Sequence, residues 1–234
     1  MQKRGIGHIE VILAFILFVS FLAFGLYFFN PLDSGRVLDS TLFYATDAIS
    51  KNVSSDLLIY GIVINSNVNT VSLDVSRNEI SNEGVRVENN RGIKKPSSYE
   101  NGNLVFEKNA ESFFFVLFGD FPYNGEVLNE QPTMLESENF SISSSDTKSI
   151  FSESKLLELK QNYDANYNTL KTKFNLPGRT DFSFRIDFAL SGNDSIIATT
   201  SIPDGIDVYS KSNRVEVLRT DGSRVFADFT VGVW

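Results

Sequence analysis

The sequence predicts an α+β protein with an N-terminal transmembrane/stalk helix, then a β-rich antiparallel ectodomain containing one additional amphipathic helix. Three observations carry this expectation. No charged residue occurs from Val11 to Phe29. Beyond Leu57 the apolar period falls towards two in a series of short segments, and over roughly 152–175 it returns to helical spacing. The implied division is 1–5 as a leader, 6–31 as the transmembrane helix, 32–56 as an amphipathic stalk helix and 57–234 as the head.

The opening run comes first in the argument. At 1.5 Å per helical residue, Val11–Phe29 approaches the ~30 Å hydrocarbon thickness of a bilayer. Tyr27, Phe28 and Phe29 gather where an aromatic belt would sit, and Asn30-Pro31 punctuates the run. Lys3 and Arg4 precede it, so the positive-inside rule places the N-terminus in the cytoplasm and the C-terminal domain outside the cell, as a single-pass protein of the cell membrane. Three kinds of segment share this outline. A secretory signal would be cut near Ala23-Phe24-Gly25, although the apolar run continues past that point. A plain signal anchor needs nothing special at its start. The third kind accounts for the glycine and the acid at the edge of the run.

Lys3-Arg4-Gly5, followed by an apolar helix with Glu10 near its start, resembles the prepilin-type (class III) signal of archaeal type IV pilin-like proteins. The similarity covers about the first thirty residues. It implies cleavage after Gly5 by a prepilin-type peptidase, with Ile6 as the new N-terminus and Glu10 at the acidic position used in assembly. It further implies a homo- or hetero-oligomer formed through the N-terminal helix, and a structural or minor subunit of a surface filament. The alternative is a monomeric, membrane-anchored extracellular binding protein that is never processed. Physically, a lone carboxylate beside an apolar run costs on the order of 2–4 kcal/mol in hydrocarbon. A neighbouring subunit's α-amine would relieve that cost only at the correct stagger.

Beyond the run, Asp33 or Ser34 is positioned to cap a helix whose Leu38, Leu42, Ala45, Ile49 and Val53 recur at helical spacing. Asp47 and Lys51 lie off that stripe, four residues apart. "LLIYGIVI", "TVSLDVS", "GVRVEN", "NLVFEK" and "SFFFVLFG" then read as strands, with Phe113–Phe118 as a buried central one. Residues 119–150 read as looser: "GDFPYNGE" as turns, and "SISSSDTKS" as poorly suited to packing. The next helix presents Leu156, Leu159, Tyr163, Tyr167, Leu170 and Phe174 on one face and stops at Asn175-Leu176-Pro177-Gly178. "DFSFRIDFAL" alternates as a strand with one wet face, and the C-terminal segment forms a hairpin turning at Asp221-Gly222.

Composition limits the chemistry. Hydrophobic residues make up 42% of the 234, enough for a core, while the net charge of −8 leaves no basic stripe for nucleic acid. There are no cysteines and one histidine, His8, which removes thiolate sites and the usual Ser–His activation. No phosphate loop, zinc motif or EF-hand occurs, so no catalytic, metal or cofactor residue is assigned and no enzyme is expected. Asp204 and Asp207 offer oxygen ligands to a hard cation, but in "PDGID" such acids more often shape a turn. N-x-S sequons at Asn52, Asn139 and Asn193 are possible glycosylation sites on an exported domain.

Overall fold

The computed structural model describes residues 6–28, 34–75, 84–100, 102–122, 125, 126, 128, 130–189 and 194–234. The chain divides into two compact units, 1–41 and 42–234. The N-terminal helix α1 (Ile6–Phe28) carries Glu10 as its single Asp, Glu, Lys or Arg. Helix α2 (Ser34–Val53) buries Leu42, Ala45, Ile49 and Val53 at the spacing the sequence predicts. On its outer face the ammonium of Lys51 meets Asp47 at 2.8 Å, an i,i+4 pair that contributes about 0.3–0.5 kcal/mol. No loop follows α2. Strand β1 (Ser54–Ile64) begins at the next residue, and the Ser54 hydroxyl donates back to the Ser50 carbonyl at 2.7 Å.

Strand β1 lies inside a nine-stranded sheet, flanked by β9 (Phe140–Ser152) and β7 (Phe113–Gly119). Beyond β7 come β3 (Gly84–Asn89) and the two-residue β4 (Lys94–Lys95). Beyond β9 come β12 (Tyr209–Leu218), β13 (Arg224–Val233), β10 (Phe182–Phe188) and the short edge strand β11 (Ser195–Ala198). A second sheet orders β5 (Ser97–Glu100), β6 (Asn103–Glu107), β2 (Thr70–Asp74) and β8 (Thr133–Met134).

Two apolar layers follow from this topology. Ile62 and Ile64 of β1, Phe114, Val116 and Phe118 of β7 and Val87 of β3 pack with Val71, Leu73, Leu104 and Phe106 of the smaller sheet. At the other half of the large sheet, Phe182, Phe184 and Ile186 of β10 and Phe229, Val231 and Val233 of β13 bury under α2 and α3 (Glu153–Lys173). The α3 face predicted from spacing is the one that packs: Leu156, Leu159, Tyr163 and Leu170 are buried. Its path differs in one respect. Asn166 leaves helical geometry at φ −140° and ψ 45°, which kinks the helix, as befits a side chain that competes for backbone hydrogen bonds. The helix ends where Asn175 turns left-handed at φ 53°.

The expected α+β class with a transmembrane/stalk helix and an antiparallel ectodomain is corrected on three counts. Strands dominate the described chain, in one nine-stranded and one four-stranded sheet, with three helices among the described residues. The sheets are mixed rather than antiparallel, because β9 meets β12 in parallel at Phe151–Val217 and Ser152–Leu218, and β2 meets β8 in parallel. Among the described residues no helix is long and apolar enough to cross a membrane. The sequence expectation came from hydropathy summed to Phe29, and the aromatic and Asn-Pro end of that run, Phe29 to Pro31, lies outside the described residues.

The serine-rich stretch is the other departure. Instead of a loose segment, residues 140–152 form the longest strand of the described chain, in antiparallel register with β1 from Ser54–Phe151 to Ile64–Phe140. Every side chain from Ser141 to Ser149 is exposed. Backbone pairing to β1, rather than side-chain burial, holds this strand. A register shift at Gly61/Ile62 accommodates Ser143, whose hydroxyl donates to the Gly61 carbonyl at 3.0 Å.

Candidate assembly surface

The N-terminal unit presents the least satisfied surface of the described chain. Along α1, Ile9, Val11, Ile12, Leu13, Phe15 and Ile16 are all exposed, Val11 by 68%, and so is Phe21 by 72%. Successive positions 11, 12 and 13 point in three directions around a helix, so no polar stripe separates an inner from an outer face. Monomeric proteins in water rarely expose an apolar patch beyond a few hundred Å². Removing a Leu, Ile or Phe side chain from water stabilises by about 1.5–3 kcal/mol each, so this surface calls for cover on all sides.

Glu10 is exposed and lies four residues beyond the start of α1 at Ile6, past its first turn. Lys3, Arg4 and Gly5 lie outside the described residues, and Ile6 opens the helix. Of the sequons, Asn52 is half-buried on α2. Asn139 is half-buried in the bend before β9, where its carbonyl accepts from the Asn65 N–H and its own N–H donates to Glu136. Asn193 lies outside the described residues. These two described sequons occupy separate elements.

The C-terminal unit holds three polar clusters that spacing in the sequence does not announce. Glu88, 4% exposed, accepts from Arg86 Nε at 2.7 Å and from Arg224 Nη2 at 3.2 Å. Glu153, at the start of α3, accepts from Arg219 Nε at 3.0 Å and the Thr220 N–H at 2.8 Å. The same guanidinium reaches Asp194 at 2.8 Å and lies 4.3 Å from the Phe188 ring centre. Burial alone would raise the Asp181 carboxyl, but hydrogen bonds from Lys171 and Tyr167, each 2.9 Å, outweigh it and hold the group below the usual carboxylate range. Burial pushes the Tyr167 phenol up. Beside it, Tyr163 donates to the Phe182 carbonyl at 2.5 Å.

In these clusters the partners tie hairpin to helix and helix to strand. Each carboxylate is occupied by protein donors, which suits buried charge to a structural role. A small cavity of about 60 Å³ beside Arg86 and Asp221 is lined by Val85, Phe121 and Pro122. Among the described residues no group of three or more His, Cys, Asp or Glu side chains is placed to hold a metal ion. Asp204 and Asp207 sit on an exposed turn around Gly205, whose φ is +80°.

Comparison with protein-family models, with characterised proteins and with solved structures finds no match to this chain.

Proposed function

We propose that this chain is a structural subunit, or a minor component, of a type IV pilus-like surface filament, with its strand-rich C-terminal unit outside the cell. The observation that supports the reading is α1, exposed and apolar around its circumference, with one carboxylate near its start. A helix without a polar face is suited to the interior of a bundle, where copies of itself supply apolar neighbours on every side. A two-helix seam would leave half of that surface in water. Lys3-Arg4-Gly5 forms the leader end, a prepilin-type peptidase cuts after Gly5, and Ile6 becomes the N-terminus. The freed α-amine of one copy meets Glu10 of the next and sets the stagger, because a wrong stagger buries the carboxylate unpaired. The work is structural rather than catalytic.

Mass spectrometry of the protein from its native source provides the test. A chain beginning at Ile6, with Glu10→Gln processed normally but assembled poorly, is the expected result. An intact start at Met1 or Gln2, or normal filaments from Glu10→Gln, overturns it.

A further inference from the structure

The two ends of the large sheet's strand order carry complementary surfaces. At the β4 end, the turn between β3 and β4 is held rigid from below. Asn89, 3% exposed, accepts the N–H groups of Arg91 at 3.0 Å and Ile93 at 2.9 Å, and Gly92 completes the turn at φ +74°. This frame presents Arg91, Ile93 and Lys94 to solvent, Ile93 by 56%. Lys94 is ion-paired with Glu126, and Arg91, near enough to the Glu111 carboxyl to help hold it low, is the other exposed charge of the turn. At the β11 end, the loop that follows the strand exposes Ile202, Ile206 and Val208, each by more than 40%, together with Asp204 and Asp207. The Ile206 N–H donates to the Pro203 carbonyl at 3.4 Å, so this loop too has a defined turn.

A basic turn is conspicuous on this unit. Lys3, Arg4 and Arg36 offset Glu10, Asp33 and Asp39, so residues 42–234 carry the full net charge of −8.

We infer that the Arg91–Lys94 turn of one copy docks on the Ile202–Val208 loop of a second copy. Ile93 seats among the three aliphatic side chains, and Arg91 faces Asp204 and Asp207. Both surfaces are held by turns before they meet, so little ordering is lost on docking. Donor and acceptor are different patches of the same chain, so the contact is heterologous and passes from copy to copy. A patch this small is weak alone and gains strength through repetition along an assembly. The contact belongs to the C-terminal unit and does not depend on how α1 is covered.

The absence of cysteine in the chain allows a direct test in the full-length protein. Asn90→Cys and Ser201→Cys, which leave Arg91, Ile93, Asp204 and Asp207 in place, combined in one chain and treated with a thiol cross-linker, are expected to give a ladder of multimers, whereas either single variant gives none beyond dimer. On a background retaining both cysteines, Lys94→Glu is expected to reduce the ladder about threefold, and high salt to reduce it further. Separately, Arg91→Glu is expected to weaken self-association about tenfold, and Asp207→Lys in the same chain to restore it to within about threefold. A double-cysteine chain that cross-links no further than the single variants overturns the contact, as does a charge reversal that Asp207→Lys fails to rescue.

Discussion

β7 and β9 do the same job for the backbone and opposite jobs for the side chains. Both pair antiparallel with β1, one on each side. β7 reads Phe-Phe-Phe-Val-Leu-Phe-Gly and buries Phe114, Val116, Leu117 and Phe118 between β1 and β3. β9 reads Phe-Ser-Ile-Ser-Ser-Ser-Asp-Thr-Lys-Ser-Ile-Phe-Ser, and nothing from Ser141 to Ser149 is buried. Its outer edge pairs with the β12 backbone only at Phe151 and Ser152 among the described residues, and farther along Lys148 is ion-paired with Glu216 of β12. That edge carries Asp146, Lys148 and a bulge, the features that discourage pairing with a foreign strand. The difference teaches that one strand is made by burial and the other by its neighbour's hydrogen bonds.

The sharpest way to break the comparison is to empty the buried side. Phe114→Ala removes a fully buried ring and is expected to cost about 3–5 kcal/mol in denaturant unfolding. A loss below about 1 kcal/mol would mean that the two-sheet core does not rest on β7. Next in size is Gly61→Val, where a side chain would run into the hydroxyls of Ser144 and Ser143 on β9. The expected cost is about 1–3 kcal/mol. Amide exchange should then accelerate along 140–150 while β7 stays protected.

Acid provides a third, smaller probe. Asp181 titrates below its ordinary range in the folded chain, so its contribution is complete above the unfolded value of about 4 and is lost as pH falls through the lower folded value. Lys171→Met removes one of the two donors that together outweigh burial at that carboxyl, so the acid limb of a stability–pH profile should flatten. Glu111 keeps part of the limb, its carboxyl held low first by the hydrogen bond from Lys95. So does Asp221: burial would raise it, but Ser223 donates to it and holds it low. An unchanged profile in Lys171→Met would remove Asp181 from the acid response. The smallest effect belongs to the wet side: Ser145→Ala should change stability by less than about 0.5 kcal/mol. A loss above about 1 kcal/mol would show that the β9 side chains carry structure after all.

Several elements could be read locally. The stripe Leu42, Ala45, Ile49, Val53, the α3 face ending at Asn175, the alternation of Phe182, Phe184, Ile186 and Phe188, and the turn at Asp221-Gly222 all stand in the structure where their spacing places them. Each rests on interactions between residues close in the chain, so period and turn chemistry suffice. Glu10 and the apolar run were equally legible, because hydropathy needs no partner to be measured. What covers that run was not, and hydropathy alone turned it into a membrane span that the described helix does not provide.

By itself, then, the sequence determined which segments are apolar, where helices α2 and α3 present their faces, and where the last hairpin turns. Only the tertiary structure decided that a serine-rich segment becomes a thirteen-residue strand, that two strand pairs run parallel, and that Arg224 meets Glu88 across 136 positions. The reason is common to all three. A backbone hydrogen bond or a buried charge is satisfied by whichever group the fold brings beside it, and that group leaves no local mark in the chain.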